Sequence, residues 1–256
     1  MRWRRSRVVE WSPAQLPCAP RPINGELLSS WLRRVAAAND LTLPEIEACI
    51  GDGLGEEEGS AVPDFHPPKQ WRLAASALTR VPERWVWVLG LDQHFPAADT
   101  DSFVHGDTKP YGLGASFCPE CFHEQIATKK PLHLKAEWAL AATTRCFRHH
   151  LPLYLWCPWC GRADPVHFRG GDAVECLDCE HDLTIRRWQW RMPIFEPVIA
   201  GFEQVIAEAF AGKAPHPGWA GEISAASFRR LITDLIWMLT TEDLADARLA
   251  RISHEL

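Results

Sequence analysis

The stretch Arg145–Gly161 reads RCFRHHLPLYLWCPWCG. It places a CxxH pair, Cys146 and His149, shortly before a CxxC pair, Cys157 and Cys160. Pairs of this spacing suit a tight turn whose backbone amides face the sulfurs, and two such turns close a tetrahedron around Zn2+. Working outward, SFCPECFHE adds Cys118 and Cys121 upstream, and VECLDCEHD adds Cys176 and Cys179 downstream. Sequential pairing gives one site of Cys118, Cys121, Cys146 and His149, and a second of Cys157, Cys160, Cys176 and Cys179. Interleaved pairing, as in cross-brace modules, is the alternative, and His150 competes with His149 for the CxxH position. His123 and His181 lie beside the sites without the ligand spacing. Seven of the nine cysteines enter this pattern, while Cys18 and Cys49 stand singly.

Four protein ligands per ion leave no position open for water or substrate, so both sites read as structural. The sequence holds no HExxH, and no HxE ahead of a PCxxC. The expectation is two structural Zn2+ ions, no catalytic residue and no small-molecule substrate.

Composition agrees with a globular protein of about two domains: 256 residues, 46% hydrophobic and 23% charged. No apolar run approaches the roughly 18 residues that span a bilayer. The opening MRWRRSRVVEWSP is basic but lacks the apolar core of a signal peptide, so a cytoplasmic chain is expected. Nine cysteines in a reducing compartment favour metal over disulfides. The net charge of −6 excludes a chain that coats nucleic acid with a wholly basic surface. Charge is uneven, however: residues 1–34 carry seven arginines against Glu10 and Glu26. Arg2, Arg4, Arg5 and Arg7 could meet phosphate or form a solvated arm. Arg186, Arg187 and Arg191, interleaved with Trp188 and Trp190, could contact a single strand or form a packed edge. The 13 tryptophans supply core, with a minority left for a protein interface.

Around the metal pairs the pattern is helical. Leu27, Leu28, Trp31, Leu32 and Val35 recur at helical spacing, with Asn24 as a cap and Asn39–Asp40 as the stop. A second helix starts at Thr42 with Pro44 in its first turn. GDGLGEEEG (residues 51–59) reads as an acidic loop. A helix from about Gln70, a turn at Pro82 and another helix follow; this pair suits a helix-turn-helix or a small bundle. PLHLKAEWALAATT (residues 131–144) is expected to be a helix between the halves of the first site. PLYLW (residues 152–156) is expected as a strand leading into the second. Two or more amphipathic helices are expected after residue 193. The fold class is therefore mainly α with small zinc-ribbon β elements. It comprises an N-terminal helical, helix-turn-helix-like domain (1–110), a tandem zinc-ribbon module (111–192) and a C-terminal helical region (193–256).

PINGELLSSWLRRVA (residues 22–36) resembles the opening motif of the TniQ/TnsD family, carried here by Glu26, Ser30, Trp31, Leu32, Arg34 and Ala36. The same family continues with CPxC, an internal tryptophan, CxxH and CPxCG. Here these are Cys118 and Cys121, Trp138, Cys146 and His149, and Cys157, Cys160 and Gly161. The resemblance covers residues 15–185. It implies a non-catalytic adaptor for transposition target selection. Such an adaptor engages target DNA or a guide-RNA effector complex, as in CRISPR-associated transposons, and recruits an AAA+ ATPase regulator. Homodimerisation stays open, and no membrane partner is implied. The alternative from a different class is a direct sequence-specific DNA-binding regulator.

Overall fold

The computed structural model describes residues 15–52, 64–98, 103, 114–170, 172–185 and 196–213. The arginines at 2, 4, 5, 7, 186, 187 and 191 lie outside the described residues, as does the second C-terminal helix expected within 224–252. The described chain is mostly helical, with one two-stranded sheet.

Helix α1 (Leu28–Ala37) is the centre of the fold. Leu28, Trp31, Leu32, Val35 and Ala36 fall on one stripe. They share a core with residues of α2 (Leu43–Asp52), α3 (Lys69–Thr79) and α4 (Glu83–Trp87), notably Ile46, Ile50, Trp71, Leu78 and Val86. The opposite face of α1 is polar in sequence, yet Ser29, Ser30, Arg33 and Arg34 are buried as well. A polar face is buried only when its groups find partners: Ser30 and Arg33 find theirs on the metal-binding half of the chain, the Ser29 amide on Asp64, and Arg34 on Glu26 and the Arg21 carbonyl.

The ends of α1 follow capping rules, by one route the sequence did not announce. Asn24 does not cap it: the N-cap residue is Leu27, with no side-chain cap bond. Instead the Ser29 amide donates to Asp64 Oδ1 at 2.7 Å, a carboxylate 35 residues away. It satisfies one of the orphan amides of the first turn and complements the helix dipole there. At the other end Asn39 Nδ2 donates to the Val35 carbonyl at 2.7 Å, and Asp40 turns the chain with φ 54°. Helix α2 opens as expected. Glu45 accepts from the Thr42 amide at 2.7 Å, the return half of a capping box. Helix α3 ends at the left-handed Arg80, Pro82 precedes α4, and Arg72 bonds Glu83 at 2.5 Å across the turn.

Residues 131–144 differ from the expected helix. Only Ala136–Ala139 form a short 3-10 turn. Leu132, Leu134, Ala136 and Trp138 are buried while His133, Lys135 and Glu137 between them are partly exposed, which is the period-two pattern of a strand. The segment pairs with the start of α1: Leu27 N donates to Leu134 O at 3.1 Å and Ala136 N to Gly25 O at 2.8 Å. The helix of this region instead starts within the first CxxC, as α6 (Pro119–Ala127), with Cys118 as N-cap, Pro119 at its start and Cys121 in its first turn. Before it lies the one-turn α5 (Leu91–His94).

The PLYLW link is extended: Pro152, Tyr154 and Trp156 bridge to Arg145, Phe117 and Ala163. A hairpin follows, β1 (Val166–Arg169) antiparallel to β2 (Ala173–Cys176), with Val166 opposite Cys176. Around Phe122 the rings of Trp138 and Phe168 stand edge-on, each with centroids 6.1 Å away, the arrangement favoured by ring quadrupoles. Leu91, Phe95 and Phe103 join this second core, as do Ile206, Ala207 and Phe210 of α7 (Glu196–Phe210). Among the described residues no helix is long and apolar enough to cross a membrane.

Candidate metal centres

Three turns in this chain are built on one plan. Each begins at a cysteine whose carbonyl accepts from the amide four residues on: His150 to Cys146 at 2.7 Å, Gly161 to Cys157 at 2.9 Å, Glu180 to Cys176 at 2.9 Å. Each first cysteine also donates its own amide to the residue after that, Leu151, Arg162 and His181 respectively, at 2.8–2.9 Å. The residue at the fourth place is left-handed in all three, with φ 53° at His150, 76° at Gly161 and 56° at Glu180. Glycine takes that conformation without strain, so Gly161 is the residue best suited to it. The plan settles the role of His150: it is the left-handed turn residue and stays exposed. His149, one place earlier, points into the cluster.

These three turns and the start of α6, which carries Cys118 and Cys121, meet in sequential pairs. Cys118, Cys121, Cys146 and His149 form one group, and Cys157, Cys160, Cys176 and Cys179 the other. In the first, Cys121 Sγ is 3.5 Å from Cys146 Sγ, and His149 Nδ1 lies 3.6, 3.3 and 3.6 Å from the sulfurs of Cys118, Cys121 and Cys146. In the second, the Cys157–Cys179 and Cys160–Cys176 sulfurs are each 3.6 Å apart. A tetrahedron with bonds of about 2.3 Å to sulfur and about 2.0 Å to nitrogen has edges of roughly 3.5–3.8 Å, so both donor sets fit such an ion. The electrostatics agree. In the first group, hydrogen bonding from Cys118 and Cys146, with burial, pushes the Cys121 thiol up, while the bonds from Cys118 and Cys121 pull Cys146 down. Thiols this crowded cannot all ionise without a cation among them.

The first group is the more enclosed: Cys118, Cys121 and Cys146 are buried, whereas Cys160 is exposed and Cys179 partly so. Glu124 on α6 stands 3.6 Å from His149 Nε2 and also bonds Arg148. Over the second group, the Trp159 ring stacks on His181 with centroids 5.1 Å apart. His123 is exposed on α6.

The residues Glu26, Ser30, Trp31 and Arg34 form a buried lock beside these centres. Glu26, fully buried, accepts from Arg34 Nη1 at 2.6 Å, the Ser30 hydroxyl at 3.1 Å and the Ile23 amide at 3.0 Å. Burial pushes its carboxyl up to about 7 against the pull of these partners. Ser30 Oγ also accepts from the Leu134 amide at 2.8 Å, and Trp31 Nε1 donates to Pro20 O at 2.8 Å. One turn around the helix, Arg33 grips both oxygens of Asp164 at 2.6–2.7 Å and the Val166 carbonyl at 2.6 Å. Asp164 and Val166 lie between the two turns of the second metal group, so α1 is fastened to both halves of the module. Sequence reading missed Arg33, Asp164 and Asp64. An arginine pair on an amphipathic helix reads as a solvated face, and no local pattern marks the two aspartates.

The helical body is thus locked through its central helix onto the segments around two tetrads, each of which could hold a metal ion. The TniQ family model matches residues 17–153, and the chain belongs to the TniQ family. The match takes in the Glu26–Arg34 lock and the first metal group and stops before the second. No curated protein matches the chain. Family membership assigns it to transposition, in target selection broadly.

Proposed function

We propose that this chain is a non-catalytic adaptor that joins a target complex, DNA or a guide-RNA effector on DNA, to an AAA+ transposition regulator. The single observation that carries the reading is the fastening of α1 to the segments between the ligands of both metal groups, Ser30 to Leu134 and Arg33 to Asp164 and Val166. Metal binding here shapes a rigid surface instead of exposing an ion to substrate. Each tetrad, Cys118/Cys121/Cys146/His149 and Cys157/Cys160/Cys176/Cys179, would hold one Zn2+, whose contribution is to fold the turns around it. We assign the protein three functional regions, as in the sequence division at 110 and 192, and a cytoplasmic setting.

The helix-turn-helix reading falls on α3 and α4. Helix α4 has only five residues, and the exposed large apolar side chains of the pair are Leu73, Trp85 and Trp87, beside exposed Lys69, Gln70 and Arg84. Base reading in the major groove uses a helix that lays several Arg, Lys, Asn or Gln side chains along the bases, and a five-residue helix with two exposed tryptophans suits a protein surface better than a recognition element. Any contact with DNA then falls to the arginines at 2, 4, 5, 7, 186, 187 and 191. A handful of phosphate contacts gives non-specific affinity of roughly 10⁻⁴–10⁻⁶ M at physiological salt. The test is selection from random duplexes with the purified chain alone. Weak, salt-sensitive binding with no consensus is expected; one strong motif would establish a direct DNA-reading regulator instead.

A further inference from the structure

We propose that the open cleft between residues 16–22 and the α3–α4 turn is a docking site for a short acidic segment of a partner protein bearing a large apolar anchor. The inference goes beyond the adaptor reading by naming a surface and a partner chemistry, and rests on it only in taking the partner to be a protein. The cleft has a volume of about 540 Å³ and is lined by Pro17, Pro22, Pro82 and Trp85, with Arg21 and Arg80. Among the described residues no carboxylate lines it.

Large apolar side chains are exposed in the cleft and elsewhere on the α3–α4 pair. Trp85 is 45% exposed, and Val88, three residues on along the same helix face, is 43% exposed. Trp87 and Leu73 on the same helix pair are 42% and 50% exposed. In the two cores, by contrast, Trp31, Trp71 and Trp138 are closed to solvent. These four are most of the large exposed hydrophobics among the described residues, and of them Trp85 lines the cleft itself, an exposed aromatic of the kind enriched at protein interfaces.

Charge selects the occupant. Among the described residues the Arg80 side chain bonds the neutral Gln15 side chain, at 2.6 Å, and no carboxylate. Arg21 and Arg84 have no carboxylate partner among the described residues. The one acid of α3 and α4, Glu83, is already taken by Arg72. A cationic rim around an apolar floor complements an acidic peptide with an aliphatic or aromatic side chain. The chain's own residues 1–14 enter beside the cleft at Gln15, but they carry four arginines against Glu10 and would meet like charge. A second copy placed face to face would set arginine against arginine. Single-stranded nucleic acid could stack on Trp85 and meet the same arginines, but Trp85 is the one aromatic ring among the described lining residues, so successive bases find no second stacking platform.

The test is selection of displayed random 16-residue peptides on the full-length, metal-loaded chain. The expected winners combine Asp or Glu with Leu, Phe or Trp. Arg80→Glu, Arg84→Glu and Trp85→Ala should each weaken them about tenfold or more, with melting temperature and metal content unchanged. Winners without acidic residues, no enrichment, or undiminished binding to the three variants would overturn the proposal. So would displacement of the winners by a synthetic peptide of residues 1–14, which assigns the cleft to the chain's own arm. Displacement by a 16-nucleotide oligo-dT would assign it to nucleic acid. The selection needs no transposition component, so failure of the adaptor reading elsewhere leaves this result standing, and the reverse.

Discussion

Cys157→Ser or Cys176→Ser will lower the metal content from two ions per chain to one and unfold the region between residues 157 and 185. The second tetrad closes the turn at Cys157 onto the end of β2, and the hairpin between them has only four residues in each strand. So small a sheet is not stable alone. A closed Zn2+ site contributes on the order of 10 kcal/mol to the folding of such modules, comparable with the whole stability of a typical domain, about 5–15 kcal/mol. The damage should travel. Arg33 would lose Asp164 and the Val166 carbonyl together and be left as a buried unpaired charge in α1. Elemental analysis and limited proteolysis read the two effects. A soluble, protease-resistant variant that still holds two metal ions would contradict the assignment of Cys157 and Cys176 as ligands.

The second large effect concerns the lock. Arg34→Ala should destabilise the chain by about 3–5 kcal/mol, because it leaves Glu26 buried without its counter-charge. For a chain of this size that corresponds to a fall of roughly 6–20 °C in melting temperature. Replacing both partners with apolar residues of similar volume should cost far less than either single change, which distinguishes a buried pair from two independent packing residues. An unchanged melting temperature for Arg34→Ala would place the pair at the surface.

Asp64 adds a pH signature to the same helix. Burial pushes its carboxyl up to about 6 from an ordinary 3.8, even though the Ser29 amide favours its charged form. Below 3.8 the group is protonated folded or unfolded, and its neutral form fits the site. As pH rises through 6 it ionises in place and that advantage is lost. The excess stability of the native chain over Asp64→Asn should therefore be greatest in acid and shrink between about pH 4 and 6. A difference constant over that window would show that Asp64 is not desolvated.

What could be read in the sequence was what is written locally. The cysteine spacings are the turn geometry itself, so both tetrads and their sequential pairing were legible from residues 118–179. The Thr42–Glu45 cap and the Pro82 break are likewise contained within a few residues. Residues 131–144 failed because their alanines and leucines suggested helix, although Leu132, Leu134, Ala136 and Trp138 already alternate with polar neighbours. The alternation has meaning only once Gly25–Leu27 is known to lie alongside. Arg33 and Asp164 are 131 residues apart, and Asp64 caps a helix 35 residues upstream. Such pairings are properties of the packed chain, and a polar face buried on α1 looks in sequence like any solvated face.

The central claim is that this chain connects two assemblies, and a bridging assay tests it most directly. The AAA+ regulator would be immobilised and offered the target complex, duplex DNA or guide-RNA effector on DNA, with and without the purified metal-loaded chain. Capture of the target complex only when the chain is present, and its loss with Cys157→Ser, is the result the account predicts. Equal capture with and without the chain, or binding of the chain to neither assembly, would contradict it.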